Sequence, residues 1–147
     1  MSIATGAPFK TLLADEVAAG QELPALIIEV TASQIILGAL TAGDSMDVHH
    51  DRDLAKARGF KDIFMNSVTS ITLAQRFVTD WAGPEAFIAG FSFRLERPQY
   101  PNDELRFTGS VSSVESDAVT IQVTGKNSLG NHIVARFLIK LPRSRAA

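Results

Sequence analysis

The sequence predicts an α+β fold in which a long central helix is wrapped by a curled antiparallel sheet of about five strands. Residues 66–81 repeat apolar side chains with a helical period, carry almost no charge before Arg76, and are followed by the helix-ending pair Gly83-Pro84. After Pro84 the apolar period changes from about 3.6 residues to about 2, which is typical of strands.

The helical segments can be placed by their caps. A β-branched strand at residues 25–30 leads into a short helix that Thr31 or Ser33 caps and that continues to about Leu40. Residues 54–57 predict one further helical turn. The central helix mixes apolar residues with small hydroxyl residues on all sides, so we expect it to be covered on most sides by the sheet.

The second half of the chain predicts strands joined by short turns. They span residues 87–97, 105–114, 118–126 and 131–141, and Gly90 allows a bend or a close backbone approach within the first of them. With the strand before the helix they form an antiparallel sheet. We expect one domain that covers residues 1–147, with residues 1–14 and 142–147 as loose termini.

Composition narrows the classes of function. The chain is 46% hydrophobic and 20% charged, as in soluble globular proteins, and its formal charge of −2 gives no footprint for nucleic acid. No apolar run reaches the ~20 residues of a membrane helix, and we see no secretory signal. The absence of cysteine excludes thiolate catalysis and disulfides. We therefore expect a cytoplasmic protein that binds neither nucleic acid nor membrane.

Polar residues concentrate in the stretch 41–53, which contains two of the three histidines and four carboxylates. A turn or a helix cap would explain Asp44, which directly follows Gly43, and His49 taken alone is an ordinary histidine. His49, His50 and Asp51 are suitable metal ligands by type, but adjacent residues rarely converge on one ion. We therefore expect no metal site, and we expect His50 and Asp51 to hold the loop.

The spacing of these residues carries a resemblance. Asp44-x-x-x-x-His49, followed by Asp51, Ala55 and Gly59, resembles the hydratase motif of the MaoC-like (R)-specific enoyl-CoA hydratases, which have the hotdog fold. Four further blocks resemble the small catalytic subunit of the heteromeric MaoC-like hydratases of bacterial steroid side-chain degradation; these blocks are residues 47–53, 61–64, 78–84 and 127–132.

The resemblance implies hydration of a trans-2-enoyl-CoA to a 3-hydroxyacyl-CoA, with a steroid or other bulky acyl group. Asp44 would orient and help to deprotonate the water, and His49 would take part in the proton transfers. The backbone N–H of about Ser67 would bind the oxyanion of the thioester, with Asn66 and Met46 beside the substrate. No cofactor is implied, because coenzyme A is part of the substrate.

The chain departs from the family pattern at two places. The family commonly has Asn-Pro between the catalytic pair, where this chain has Met46-Asp47, and it commonly begins the central helix with His-Gly, where this chain has Asn66-Ser67. A serine N–H can serve as well as a glycine N–H if the backbone torsions suit a residue with a Cβ. The departures therefore bear on substrate range and oxyanion geometry more than on the catalytic pair.

Two alternatives to hydration, an acyl-CoA thioesterase and a non-catalytic binding subunit, fit the sequence less well. A hotdog acyl-CoA thioesterase commonly uses a carboxylate from the central helix, and residues 66–79 contain none. A non-catalytic acyl-CoA-binding subunit would not need both Asp44 and His49. For partners, we expect a homodimer or a heteromer with a second MaoC-like chain, because an exposed sheet edge favours pairing.

Overall fold

The computed structural model describes residues 10–143, which form one five-stranded antiparallel sheet, three α-helices and two short 3₁₀ helices at Ala14–Glu16 and Asp47–His49. The strand order across the sheet is β1-β3-β4-β5-β2. The strands are β1 Glu22–Val30, β2 Phe87–Leu95, β3 Asp103–Glu115, β4 Ala118–Asn127 and β5 Gly130–Lys140. The sheet and its long helix confirm the predicted α+β hotdog fold.

The three helices begin at residues whose side chains accept backbone hydrogen bonds. Helix α1 (Ala32–Thr41) is capped by Thr31, helix α2 (Arg52–Ala57) by Asp51, and the central helix α3 (Ser67–Ala82) by Asn66. Side-chain oxygens at such positions satisfy N–H groups that the helix itself cannot pair. None of the helices within the described residues is long and apolar enough to cross a membrane.

One face of α3 packs on the sheet and forms the core with it. Ala74, Phe77 and Val78 are buried on this face, and the rings of Phe77 and Phe107 lie 5.9 Å apart. A Cβ on Gly109 in β3 would lie only 2.9 Å from the Phe77 ring and 2.8 Å from the carbonyl oxygen of Gln122. Because Gly109 has no side chain, the sheet can approach α3 closely at this position.

The opposite face of α3 is exposed in the single chain. Val68, Thr72, Arg76 and Asp80 are all exposed along it, and Val68 keeps 49% of its accessible surface. The expectation that the central helix is covered on most sides is wrong for this face. This face carries both apolar and polar residues, and such a mixture does not indicate whether the face is covered by the same chain.

Strand β2 lies at one edge of the sheet, where it pairs only with β5 among the described strands. The pairing register shifts between Ile88 and Gly90, where the sequence predicts a bend or a close backbone approach, and a Cβ on Gly90 would meet nothing within 4 Å. Exposed apolar side chains follow this edge strand; they are Phe87, Phe91, Phe93 and Leu95. An edge of this kind offers both unpaired backbone groups and apolar area.

The chain before β1 is attached to the body of the domain. The N–H of Leu12 donates to the carbonyl of Ala82 at 2.9 Å, and the N–H of Ala14 donates to that of Pro142 at 3.0 Å. The expectation of a loose start is therefore wrong for residues 10–14, because one bond attaches this segment to the last residue of α3 and the other attaches it to Pro142. Residues 1–9 and 144–147 lie outside the described residues.

This attachment predicts an unequal response of two glycines to alanine. Gly83 and Gly20 both have positive φ, 95° and 85°, but a Cβ at Gly83 would lie 2.4 Å from Cα of Thr11, whereas one at Gly20 would meet nothing within 4 Å. We expect Gly20→Ala to lower the free energy of unfolding by about 1 kcal/mol, the cost of the backbone conformation. Gly83→Ala should lower it by about 3 kcal/mol, because the clash adds to that cost. Urea denaturation measures both, and equal losses would contradict the packing of Thr11.

Candidate active site

Asp44 and His49 face each other at the point where the polar stretch meets the start of α3. Nε2 of His49 lies 3.4 Å from Oδ2 of Asp44. The His49 ring is buried, and its Nδ1 lies 2.7 Å from the carbonyl oxygen of Phe64. Because a carbonyl can only accept, Nδ1 carries a hydrogen and donates it to Phe64, and Nε2 is the ring nitrogen that faces Asp44.

Phe64 is a site residue that the sequence analysis did not single out. Besides accepting the hydrogen bond from His49, it places its ring against the imidazole at a centroid distance of 4.9 Å and an interplanar angle of 77°. The backbone of the same residue is held by a hydrogen bond from its N–H to the carbonyl of Val48, at 3.2 Å. The only sequence signal was that Phe64 lies in one of the blocks that carried the family resemblance.

The carboxylate of Asp44 receives two hydrogen bonds. The side-chain amide of Asn66 donates to Oδ2 at 3.2 Å, and the backbone N–H of Met46 donates to Oδ1 at 3.2 Å. The Asn66 amide, followed by the Met46 N–H, holds the pKa of Asp44 below its usual value. Asp44 therefore stays ionised and is a weak base that can orient a donor and stabilise a positive charge.

The side chain of Asn66 makes two hydrogen bonds at the start of α3. Its side-chain oxygen accepts from the N–H of Thr69 at 3.0 Å, as an N-cap, while its amide nitrogen donates to Asp44. These opposite roles determine which way the amide points, because only the oxygen can accept. The cap therefore also sets the position of the Asp44 carboxylate relative to the helix.

Ser67 and Met46 complete the set of residues that the sequence placed at the site. Ser67 is the first residue of α3, where an N–H group points out of the helix and the helix dipole favours negative charge. Met46 contacts Asp44 through its backbone N–H, and the residue is 56% exposed. The structure thus brings together Asp44, His49, Met46 and Asn66, with Ser67 as the next residue along the chain.

Three other carboxylates, two within residues 41–53 and one shortly after, have structural partners. Asp47 pairs with Arg58 at 2.7 Å, and Asp62 pairs with Arg52 at 2.7 Å. Asp51 accepts from two N–H groups as the cap of α2, as the sequence analysis expected of a loop-holding residue. Asp44 is therefore the carboxylate of this group that faces His49.

The three adjacent candidate metal ligands do not converge. His49 binds Phe64 through Nδ1, His50 places Nε2 at 3.2 Å from the carbonyl oxygen of Ser45, and Asp51 caps a helix. Within residues 10–143, no group of three or more potential protein ligands is arranged to hold a metal ion.

An apolar groove lies beside these residues, between β1, α1 and α3. Its volume is about 460 Å³, and Thr41 and Ala42 at the end of α1 and Met65 before α3 contribute to its wall. These residues come shortly before Asp44 and Asn66 in the chain, so the groove adjoins the polar site. Leu37 and Val68 line it and are exposed, which leaves the groove open on one side.

Comparison with known proteins decides the family. The family model described as a MaoC-like domain matches residues 16–132. This range includes the predicted site residues, which are Asp44, Met46, His49, Asn66 and Ser67. The chain belongs to the MaoC-like family. The predicted resemblance to this family is therefore confirmed.

Relatives of this MaoC-like chain have described activities. It is 46% identical over 116 residues to the beta subunit of the 3-oxo-4,17-pregnadiene-20-carboxyl-CoA hydratase of Mycobacterium tuberculosis, covering 79% of this chain and 90% of that subunit. A chain in the crystal structure of the ChsH1-ChsH2 complex from the same organism is 43% identical, with a TM-score of 0.83, covering 84% of this chain and 98% of that one.

A more distant structure shares the fold. The R-hydratase PhaJ1 from Pseudomonas aeruginosa is 21% identical, with a TM-score of 0.83 and coverage of 93% of this chain and 92% of that one. The MaoC-like architecture is therefore retained where most of the side chains differ.

The contact between Asn66 and Asp44 predicts a graded change in the pKa of Asp44. Asn66→Ser keeps an N-cap but removes the amide donor, so the pKa of Asp44 should rise. Asn66→Asp also keeps the cap but places a second carboxylate against the first, so the pKa should rise further. A ¹³C NMR titration of the carboxyl groups measures both, and an unchanged pKa in the two variants would refute the role of the Asn66 amide.

Proposed function

We propose that this chain is an enoyl-CoA hydratase, which adds water across the double bond of a trans-2-enoyl-CoA to give a 3-hydroxyacyl-CoA. The observation that carries the proposal is the pairing of His49 Nε2 with the Asp44 carboxylate at 3.4 Å in a MaoC-like chain. The 46% identity to a subunit of a CoA-thioester hydratase supports the same reaction.

In the proposed mechanism, the water lies between Asp44 and Nε2 of His49. Its oxygen attacks C3 while Nε2 takes one of its protons and Asp44 accepts a hydrogen bond from the other. The electrons of the double bond move to the thioester oxygen, which gives an enolate. Its collapse takes the proton from His49 to C2, so that both residues return to their starting states.

The lowered pKa of Asp44 supports this division of roles. A carboxylate held by two donors is a poor proton acceptor, whereas its charge stabilises the imidazolium that forms 3.4 Å away. We therefore assign the proton transfer to His49 and the orientation of the water to Asp44. The sequence alone left open which of the two protonates C2.

The enolate oxygen requires a donor, and we assign this role to the backbone N–H of Ser67. It stands at the N-terminus of a helix of 16 residues, where the N–H groups and the dipole both favour an anion. Asn66 links this donor to the catalytic pair, since its own side chain binds Asp44. The chemistry uses only these groups and water, and coenzyme A enters as part of the substrate.

A steroid-like acyl group is the substrate class that we propose. The support is the named substrate of the 46% identical relative, together with an apolar groove of about 460 Å³ beside the site. The volume is within the range of pockets for drug-sized ligands. Because the groove is open on one side, a bulky acyl group would need further apolar surface to be enclosed.

The proposed roles predict a loss of hydration in two variants. Asp44→Asn and His49→Ala should each lower kcat/KM at least about hundredfold, since the first removes the charge that orients the water and stabilises the imidazolium, and the second removes the proton acceptor. His50→Ala is the matched control, because this neighbouring histidine is exposed and its ring faces the carbonyl of Ser45. Decay of the enoyl-thioester absorbance, with a short and a steroid enoyl-CoA, provides the measurement.

Near-normal turnover in either variant would refute the role assigned to that residue. A thiol reagent in the same assay detects free coenzyme A. Its release by the unsubstituted protein without formation of a 3-hydroxyacyl-CoA would indicate a thioesterase, and binding without any turnover would indicate an acyl-CoA-binding subunit.

We also propose that the chain works as a heteromer with a second MaoC-like chain. The support is its 43% identity to a chain of the ChsH1-ChsH2 complex, together with the apolar edge strand β2 and the exposed face of α3. Pairing at β2 would extend the sheet and cover Phe87, Phe91 and Phe93. The purified chain alone would associate with itself through the same edge.

Association through β2 predicts a selective effect of charge at this edge. Phe93 and Leu129 are exposed apolar residues, 40% and 49% accessible, but Leu129 lies in the turn between β4 and β5. Phe93→Glu should lower the mass measured by light scattering to that of one chain, and Leu129→Glu should leave it at twice that mass or more. A stable monomer without substitution would contradict self-association, and equal behaviour of the variants would contradict the assignment to β2.

A further inference from the structure

A second buried histidine lies behind the site, on the side of α3 that faces the sheet. His132 in β5 is 2% exposed, and its Nε2 lies 2.9 Å from Oγ of Ser70, which is completely buried in the first turn of α3. Its Nδ1 lies 2.6 Å from the carbonyl oxygen of Arg97. The proposed mechanism does not use His132.

The hydrogens of this pair can be assigned from the partners. Nδ1 of His132 must carry a hydrogen, because the carbonyl of Arg97 can only accept. Burial lowers the pKa of His132, with the hydrogen bond to Arg97 opposing it, so the ring is neutral. Nε2 is then an acceptor, and the hydroxyl of Ser70 is its donor.

The same hydroxyl lies 2.8 Å from the carbonyl oxygen of Asn66. One hydrogen thus serves two acceptors, Nε2 of His132 and the Asn66 oxygen, in a three-centre hydrogen bond. The Asn66 carbonyl belongs to the peptide group whose N–H is that of Ser67. A hydrogen bond to the oxygen of a peptide group fixes its plane and polarises its N–H, which becomes a stronger donor.

We propose that Ser70 and His132 are positioning residues for the oxyanion donor. Ser70 holds and polarises the Asn66–Ser67 peptide through its hydrogen bond to the Asn66 carbonyl. His132 competes for the same hydrogen and thereby sets the strength of that hydrogen bond. The inference rests on the proposed function, in which the N–H of Ser67 binds the enolate oxygen. Neither residue touches the substrate, so both act through the peptide.

The tethers around the pair support this role. Backbone hydrogen bonds from Glu96 to His132 and from Arg97 to Asn131 hold the connection between β2 and β3 against β5, at 2.9 and 3.1 Å. The N–H of Met65 donates to the carbonyl of Gln99 in the same connection, at 3.0 Å. Met65, which precedes Asn66, and His132, which contacts Ser70, are therefore both hydrogen-bonded to the connection between β2 and β3.

Two variants separate the contributions. Ser70→Ala removes the hydroxyl and leaves Asn66 with backbone donors only. His132→Asn retains a donor for the carbonyl of Arg97 in place of Nδ1 but ends before the position of Nε2, so the Ser70 hydroxyl is left to Asn66 alone. Thr79→Val is the control, since Thr79 also donates to a carbonyl four residues earlier in α3, that of Gln75 at 3.1 Å, but lies far along the helix from Asn66.

The ¹⁵N resonance of the Ser67 amide reports on the peptide independently of activity. It should move upfield in Ser70→Ala, downfield in His132→Asn, and not at all in Thr79→Val. In the Ser70→Ala background, His132→Asn should cause no further shift, because the residue that joins the two is gone. Shifts in the same direction for both single variants, as general loosening would give, would overturn the proposal.

The kinetic readout is the division between kcat and KM for an enoyl-CoA. Ser70→Ala should lower kcat about tenfold, less than the hundredfold or more for loss of an oxyanion donor, with KM within about twofold. An unchanged kcat in a protein that does hydrate would refute the inference alone. The predicted amide shifts in a protein that hydrates no enoyl-CoA would refute the proposed function and leave the peptide contacts standing.

Discussion

The site depends on the two hydrogen bonds of the Asn66 side chain, one to the first turn of α3 and one to Asp44. A capping side chain is normally free to use its second polar atom on water. Here that atom binds a carboxylate that belongs to a loop 22 residues earlier. Because α3 is anchored in the core by its buried face, the loop that carries Asp44 and His49 takes its position from the core and does not depend on its own short elements alone.

The distribution of charge in this loop follows from the same arrangement. Asp47 and Asp62 form ion pairs with arginines, and Asp51 is occupied as the cap of helix α2. Asp44 receives neutral donors from Asn66 and Met46, which favour its ionised form without cancelling its charge. Its field is therefore directed at the imidazole beside it, and a cationic partner in place of Asn66 would have removed that effect.

The sequence predicted the elements because their local signals agree with the fold. Thr31 and Gly83 mark helix ends by the chemistry of capping, and the change of apolar period after Pro84 separates the helix from the sheet. The pair Asp44 and His49 came from a family resemblance and not from physics, since a turn residue and an ordinary histidine explain them equally well alone. The contact of Asp44 with Asn66 needed the structure, because nothing in a sequence shows which loop a cap will meet.

Surfaces were harder to predict than elements for a related reason. An apolar residue such as Val68 or Phe93 fits a helical or strand period whether it is covered by the same chain or by another. The period therefore identifies a face but not its partner. The contact of Ser70 with His132 is hidden more deeply still, because the two residues are 62 positions apart and a serine within a helix normally bonds to its own backbone. Only the tertiary packing turns that ordinary backbone contact into a link between the sheet and the peptide that begins the helix.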